Sequence, residues 1–400
     1  MPDKLRAVVF GTGRIARGLI ADVVSRQESH LTFVARSESR ARLEKAGGYT
    51  IRCYGHSGEI HDERRIDDFD LIDVQDQAAL TAKITESEVL FTAVGASNLK
   101  NLIQTISPAL VSALEKRDRP LNLLLFENAA EGDRIVRSSL GNKNTLQSRL
   151  GVVPCLVDRL VTNVGTDTLD LLACGWDRTL YDTNAVVGAL PEIPELKGHD
   201  NLVRMRQLKL FVTNMAQAAA SALGFLRGHR RVAAAFQDPE VDQRVTSALA
   251  EVFAAIEKAP EFRSIDPEEA RAYSREFVGY YRVPDSPDTI DRILADPIRK
   301  LQPAERFLGP ALFCLDNGIP PSSIAESIAA LLQYTNPEDP GSRRIQELLQ
   351  SKGPAAVLHE LAGLELDSPL ITLVADRLPE KAGASNDLKA QPPSDSSPTG

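Results

Sequence analysis

The sequence is poor in cysteine and has no metal-binding pattern. Its 400 residues include four cysteines, Cys53, Cys155, Cys174 and Cys314, and no two of them form a Cys-x-x-Cys pair. Neither a disulfide framework nor a structural zinc site is therefore expected. We predict free, buried thiols in a reducing compartment, and no bound metal.

Long hydrophobic runs are also missing. The apolar run nearest the start is Ala7 to Phe10, and Gly11 ends it, which is too short for a signal peptide or a membrane span. The net charge of −9 disfavours nucleic acid and anionic membranes as partners. We expect a cytoplasmic protein that binds small molecules and exists as a monomer or a weak homodimer.

Strand and helix patterns alternate in the first half of the chain. Apolar runs at residues 5–10, 31–35, 89–95 and 121–128 are typical of buried parallel strands, and the helical patterns run over 19–24 and 99–114. This alternation predicts an α/β fold with a Rossmann-type, doubly wound parallel sheet. Residues 50–75 resemble additional short strands inserted into this unit.

The second half of the chain has a different pattern. From Asn201 to about Ala375 it is rich in Ala and Leu and almost entirely helical in periodicity. We therefore predict a dinucleotide-binding domain over residues 1–190 and a mostly α-helical catalytic and substrate domain over 191–380. Residues 381–400 are rich in Pro, Ser and Asp and are predicted to be disordered.

A dinucleotide-binding fingerprint follows the first strand. Gly11-x-Gly13-x-x-Ala16 lies between that strand and an amphipathic helix, which is the context this motif requires. Gly11 permits the tight turn, Gly13 lets a pyrophosphate approach the helix N-terminus, and Ala16 is small enough for helix–strand packing. We expect the loop Gly11, Gly13, Arg14, Ile15 and Ala16 to bind the cofactor.

The end of the second strand decides which dinucleotide is expected. An NAD-preferring site places Asp or Glu there to bind the ribose 2′-hydroxyl, whereas this chain has Ala35-Arg36-Ser37, followed by Arg40. Arg36 can pair with a 2′-phosphate, and Ser37 can donate a hydrogen bond. We predict NADP as the preferred cofactor. NAD stays open as an alternative because Glu38 lies close by.

A glycine ends the strand that begins at Val89. Val94-Gly95 falls where the chain of a doubly wound fold passes the ribose and phosphates of the cofactor. Both residues are therefore candidate cofactor contacts, and the other reading of Gly95 is a simple turn.

One helical segment carries candidate catalytic residues. At about 100° per residue, Asn214 and Gln217 lie about 140° and 80° from Lys209, so all three share one face. A buried lysine beside amides can act as a base for an alcohol proton, and the amides can donate to the oxyanion. Arg206, about 60° from Lys209, can bind a substrate phosphate or carboxylate or reach solvent.

The chain up to about residue 375 resembles the polyol-specific long-chain dehydrogenases, and within them most the mannitol-1-phosphate 5-dehydrogenases of bacteria. The order and spacing of the matching stretches follow that family throughout. They are Phe10 to Gly18, Thr92 to Gly95, Glu127-Asn128, Val157-Asp158-Arg159, Gly188 to Pro191, Lys209 with Asn214, and Pro297 to Leu301 with Arg306.

The resemblance implies a substrate cleft between a Rossmann domain and a helical domain. It implies that Lys209 is the general base, and that Asn214 and Asn128 stabilise the developing alkoxide. It also places Arg299 and Lys300 near the cleft as candidate substrate-binding residues. The implied reaction is hydride transfer between NAD(P) and a secondary alcohol of a polyol or sugar-alcohol phosphate.

The chain departs from the family pattern at two positions. The family motif Lys-x5-Asn-x2-His has Gln217 in place of the histidine, so the orientation of the substrate is in question. The acid at the end of the second strand is replaced by Ala35. Two alternatives are an NADP-dependent ketoacid or opine-type reductase and a non-catalytic NADP-binding protein.

Overall fold

The computed structural model describes residues 4–127, 131–140, 148–165, 167–175, 178–284, 286 and 288–379. It consists of a sheet covered by helices in the first half and a helical unit in the second half. Asn128, Trp176 and the predicted disordered segment 381–400 lie outside the described residues. The strands in chain order are β1 (Leu5–Phe10), β2 (Ser29–Ala35), β3 (Tyr49–Tyr54), β4 (Ile60–Ile66), β5 (Phe69–Asp73), β6 (Val89–Thr92), β7 (Leu121–Leu125), β8 (Leu150–Leu156), β9 (Val161–Asn163), β10 (Leu171–Cys174), β11 (Thr179–Asp182) and β12 (Leu196–His199).

The helices of the first half cover the sheet, and those of the second half pack on one another. Two of them contain a π-helical turn, and short 3-10 turns occur at Thr183–Ala185 and Pro260–Phe262. The helices are α1 (π-helical Ala16–Ile20, then Ala21–Val24), α2 (Ser37–Ala46), α3 (Gln77–Glu86), α4 (Ala96–Lys116), α5 (Gly132–Leu140), α6 (Leu202–Lys209, π-helical Leu210–Asn214, then Met215–Leu226), α7 (Val232–Gln237), α8 (Pro239–Lys258), α9 (Pro267–Tyr281), α10 (Ile290–Leu294), α11 (Pro297–Lys300), α12 (Leu308–Asp316), α13 (Ser322–Leu332), α14 (Pro340–Lys352), α15 (Pro354–Ala362) and α16 (Pro369–Ala375).

The main sheet has eight strands in the order β12-β11-β8-β7-β6-β1-β2-β5. The six strands from β8 to β5 are parallel, whereas β11 is antiparallel to β8. The predicted Rossmann-type sheet is therefore confirmed, with an added mixed edge. Strands that are buried on both faces read as continuous apolar runs, which is why the sequence indicated them.

A second, smaller sheet lies beside the main one, in the order β4-β3-β10-β9. The sequence indicated short strands at residues 50–75 but not that β3 pairs in parallel with β10, more than a hundred residues later. β4 carries charged residues on its exposed face, so its apolar periodicity is weak. Pairing between distant, partly polar strands is decided by tertiary packing rather than by local pattern.

The core has three parts. Two apolar clusters cover the two faces of the main sheet, and the third fills the helical unit. The Rossmann sheet continues to β12 at His199, and the helical unit begins with α6. The proposed division at residue 190 stays a prediction. Among the described residues, no helix is both long enough and apolar enough to cross a bilayer.

Candidate active site

A cleft of about 440 Å³ opens at the carboxyl ends of β1, β2 and β6. Gly11 has a φ of 112°, and a Cβ there would lie 2.6 Å from the Ala93 carbonyl oxygen, so only glycine fits the turn. A Cβ on Gly13 would have its nearest neighbour at 3.8 Å, which leaves this backbone open toward the cleft. The backbone cradle and the volume fit a dinucleotide pyrophosphate.

Helix α1 packs on the small sheet through a glycine that the fingerprint did not include. A Cβ on Gly18 would lie 2.4 Å from Cγ1 of Val161, so a larger residue would push the helix away from β9. Ala16, predicted to permit this packing, is fully buried. The buried Arg17 stabilises the loop between Gly11 and Gly13, since its Nε donates to the Thr12 carbonyl at 2.9 Å.

The three predicted 2′-phosphate ligands have different surroundings. Arg36 is exposed and lines the cleft, and its guanidinium forms no hydrogen bond or ion pair with any residue that the structure describes. Arg40 pairs with Glu44 at 3.2 Å on the surface of α2. Ser37 donates its hydroxyl to Asp73 Oδ2 at 2.7 Å. The sequence prediction overlooked Asp73 because it lies on a different strand.

A buried carboxyl group fixes the backbone at Val94, where β6 leads into the cleft. Glu127 accepts the Thr92 hydroxyl at 2.6 Å and the Val94 N–H at 3.0 Å. Burial raises the pKa of Glu127, and the two hydrogen bonds oppose that rise. Gly95 has a φ of 84° and begins α4. Val94 lines the cleft.

A π-helical turn lies at the centre of α6. Leu210–Asn214 has π geometry, and the Met215 N–H donates to the Leu210 carbonyl. Because a π turn pairs residues five apart, it places Lys209 and Asn214 one turn apart on one side of the helix. The α-helical angle of about 140° expected from the sequence is therefore wrong for this pair. Extra turns of this kind are frequent at functional sites.

Lys209 is largely buried and surrounded by oxygen atoms. Its Nζ lies 3.1 Å from Asp158 Oδ1 and donates to the Val157 carbonyl. The Tyr273 hydroxyl donates to the other carboxylate oxygen at 2.8 Å. Burial, and next to it the Asp158 charge, hold the pKa of Tyr273 well above its usual value. These contacts fix the position of the Lys209 amine.

The next residue, Arg159, connects this site to the cofactor helix. Its guanidinium donates to Asp22 Oδ2 at 2.5 Å and to the Gly18 carbonyl at 3.0 Å, both on α1. Burial tends to raise the pKa of Asp22, but the charges and hydrogen bonds of Arg159 and Arg26 together outweigh it and lower that pKa. The neighbouring residues Asp158 and Arg159 therefore bind Lys209 and helix α1, respectively.

Gln217 is buried next to a second carboxylate. Its Nε2 donates to Asp288 Oδ2 at 2.5 Å, and Arg292 pairs with the other oxygen of Asp288. Since a carboxylate can only accept, the amide nitrogen must face Asp288, and the amide oxygen faces the other way. Asp288, which the sequence prediction missed, thus orients the residue that replaces the family histidine.

Arg299 and Lys300 are adjacent in sequence, but their environments differ. Arg299 is half exposed and pairs with Asp296 at 3.0 Å and with Glu305. Lys300 is 4% exposed, and its amine contacts no hydrogen-bonding or charged partner in the described ranges of the chain. Burial, followed by the Arg306 charge, lowers its pKa to about 8.

The short helix that carries Lys300 begins at a strained residue. Asp296 has a φ of 55°, the one positive value at a non-glycine among the described residues, and its N–H donates to Asp339 at 2.8 Å. The segment that follows packs on α6, since a Cβ on Gly309 would lie 3.1 Å from the Phe211 ring. Such backbone strain is more frequent at functional sites.

The remaining predicted site residues are Arg206 and Asn128. Arg206 donates to the Cys155 carbonyl at 3.1 Å, at the end of β8, and burial lowers its pKa. It therefore faces the sheet rather than solvent.

No cluster of three or more His, Cys, Asp or Glu side chains that could hold a metal ion occurs in the part of the chain that the structure describes.

Comparisons with known proteins cover nearly the whole chain. Residues 5–193 match the mannitol dehydrogenase Rossmann domain, and residues 201–379 match the mannitol dehydrogenase C-terminal domain. A substrate-free D-sorbitol dehydrogenase is structurally similar, with a TM-score of 0.74 and 15% identity over 94% of this chain and 92% of the other. The mannitol 2-dehydrogenase of Pseudomonas fluorescens, in ternary complex with NAD and D-mannitol, has a TM-score of 0.68 and 17% identity over 94% and 91%.

Proposed function

The chain belongs to the mannitol dehydrogenase family, and on that premise we propose that it is an NADP-preferring dehydrogenase of polyols or sugar-alcohol phosphates. The observation that carries the proposal is the environment of Lys209, whose amine is buried against Asp158 one π turn from Asn214. The two similar structures bear the names of enzymes acting on sorbitol and mannitol, which favours a polyol as the substrate.

Lys209 serves as the proton-transfer group in this mechanism. A bound nicotinamide supplies the hydride chemistry at the carbon of the secondary alcohol. Lys209 takes the hydroxyl proton during oxidation and returns it during ketone reduction. Asp158 and the Val157 carbonyl hold the amine in position, and the Asn214 amide stabilises the alkoxide by donating a hydrogen bond. Asn128 has the same role by resemblance.

Lys300 supports a phosphorylated substrate. Lys300 is 4% exposed, and a lysine so buried whose amine has no partner among the described residues is costly in the free protein. A phosphate would supply the missing counter-charge. Arg206 is a second candidate for this role. We propose that Lys300 binds the substrate phosphate, with Arg306 contributing to the local positive potential.

Arg36 supports the preference for NADP. Its side chain lines the cofactor cleft, is exposed, and has no competing partner among the described residues. A guanidinium in that position can bind a 2′-phosphate with two hydrogen bonds.

The test is turnover of hexitol, pentitol and cyclitol phosphates, the free polyols, the matching ketones and 2-keto acids with both cofactors. We expect activity in the polyol or polyol-phosphate class. Lys209→Ala should lower kcat at least about a hundredfold with cofactor affinity unchanged. Arg204→Ala, on the same helix but paired with Gln207, is the matched control.

Three results would contradict the proposal. Near wild-type kcat in Lys209→Ala would mean that another group transfers the proton. Turnover of 2-keto acids alone would favour a ketoacid or opine-type reductase. Cofactor binding without turnover of any compound in the panel would favour a non-catalytic protein.

A further inference from the structure

We propose that Asp73, at the end of β5, binds the ribose 2′-hydroxyl of the cofactor in place of the acid that is missing from β2. The chain would then retain binding of NAD beside its preference for NADP. This inference rests on the proposed function only in requiring that the cleft binds a nicotinamide dinucleotide.

The pairing of β2 and β5 places Asp73 beside the position where the acid is missing. The two strands are parallel, and Ala35 is paired directly with Asp73, at the usual separation of about 4.8 Å between neighbouring strands. The next two residues, Val74 and Gln75, line the cleft together with Ala35. A carboxylate is therefore present at the edge of the sheet where the ribose is expected, although it comes from the next strand.

The Asp73 carboxylate is held in a fixed orientation and keeps binding capacity. It accepts the Gln75 N–H at 3.0 Å through Oδ1 and the Ser37 hydroxyl at 2.7 Å through Oδ2. These hydrogen bonds, the Gln75 one first, lower the pKa of Asp73, so it is ionised near neutral pH. They occupy about two of the roughly four lone-pair positions of a carboxylate, which leaves acceptors for a ribose hydroxyl.

Two opposite charges thus flank the same part of the cleft. Asp73 favours a ribose hydroxyl and repels a 2′-phosphate, whereas Arg36 attracts the phosphate. The Ser37 hydroxyl can serve either charge. It donates to Asp73 in this structure, and it can donate to a 2′-phosphate only when that hydrogen bond breaks. The cofactor preference is the difference between the contributions of Asp73 and Arg36.

Asp73→Asn separates a ligand role from a purely structural one. The amide retains an oxygen that accepts from Gln75 and a nitrogen that donates to Ser37 Oγ, so the loop keeps its two hydrogen bonds while the charge is lost. Asp70→Asn is the matched control. Asp70 lies on the same strand and loses the same charge, but it binds Lys83 at 2.6 Å and His30 at 2.9 Å. It precedes the cleft-lining Val74 by four residues, whereas Asp73 is next to Val74.

The experiment is a fluorescence titration of the full chain with NADH and NADPH, which measures binding and not turnover. Asp73→Asn should raise the ratio of NADPH to NADH affinity about tenfold, the scale of one charge-assisted hydrogen bond. Arg36→Ala should lower that ratio by a similar factor, and Asp70→Asn should leave it unchanged within about twofold. Raised salt should reduce the Arg36 effect.

An unchanged ratio in Asp73→Asn, or the same shift in Asp70→Asn, would overturn the assignment of Asp73 and leave the proposed function standing. Failure of the wild-type chain to bind either reduced dinucleotide would overturn the proposed function, and the Asp73 assignment with it.

Discussion

The cleft at the carboxyl ends of β1, β2 and β6 and the helix α6, which carries Lys209, are held in place by different kinds of contact. The cleft is shaped mainly by backbone, as at Gly11 against the Ala93 carbonyl, and its charged residue Arg36 is exposed. On α6, by contrast, Lys209 depends on the buried carboxylate of Asp158, which is 3% exposed. We therefore expect surface substitutions to change cofactor preference, whereas the proposed catalytic site depends on buried charge pairs.

Arg159 offers the strongest test of this contrast, because its buried pair with Asp22 joins the two regions. Arg159→Met should lower the free energy of unfolding by about 3–5 kcal/mol, since it leaves the Asp22 carboxylate with fewer partners. Denaturant unfolding measures the loss. Arg26→Met is the control. It removes a 31% exposed partner of the same carboxylate and should cost at most about 1 kcal/mol.

The double variant Asp22→Leu/Arg159→Met should recover part of that stability, because it removes both buried charges together. If Arg159→Met and Arg26→Met lowered the free energy of unfolding equally, the burial of the Arg159–Asp22 pair would not add to its stabilising effect. The contrast between buried and exposed contacts would then be wrong.

The buried charge of Lys300 should destabilise the folded protein, whereas that of Arg159 stabilises it. Its pKa is lowered from 10.5 to about 8, so the folded state binds this proton less readily than the unfolded chain does. The penalty is present in full below pH 8 and fades as pH rises toward 10.5. Lys300→Met should therefore stabilise the free protein at pH 7, on the order of 2 kcal/mol, and by less at pH 9.5.

The same variant should weaken binding of the phosphorylated substrate, which a titration can follow. Arg299→Met, at the adjacent residue, is the matched control. It should change neither the stability nor the substrate affinity much, because Arg299 is exposed and already paired. Destabilisation by Lys300→Met at pH 7 would show that the amine has a stabilising partner in solution.

Gln217→His should change substrate selectivity rather than stability, by about 1–3 kcal/mol. An imidazole can still donate one ring N–H to Asp288, and its other nitrogen can exchange a proton with a substrate hydroxyl near neutral pH. We expect kcat/KM to shift toward mannitol 1-phosphate or fructose 6-phosphate across the substrate panel. Gln217→Leu, which loses the bond to Asp288, should not show this shift, and an equal shift in both variants would contradict the idea.

The fold class and the glycine-rich turn of the cleft could be predicted from the order of the amino acids alone. Apolar runs such as residues 5–10 can be recognised because strands buried on both faces must be apolar throughout. Gly11 can be recognised because only glycine fits its turn, and Gly13 belongs to the same fingerprint. The helical second half followed from its periodicity, and the resemblance supplied the proposed role of Lys209.

The partners that these residues contact became known only from the folded chain. Asp73 and Asp288 carried no local signal, and the matching stretch that contains Asp158 did not indicate its partner. Each of the three lies far along the chain from the residue that it contacts: Asp73 from Ser37, Asp158 from Lys209 and Asp288 from Gln217. The π turn in α6 also could not be predicted, because one extra residue in a turn leaves the apolar pattern almost unchanged while it shifts the angle between Lys209 and Asn214. Local pattern specifies which face of an element is buried, whereas long-range packing decides which charges end up together.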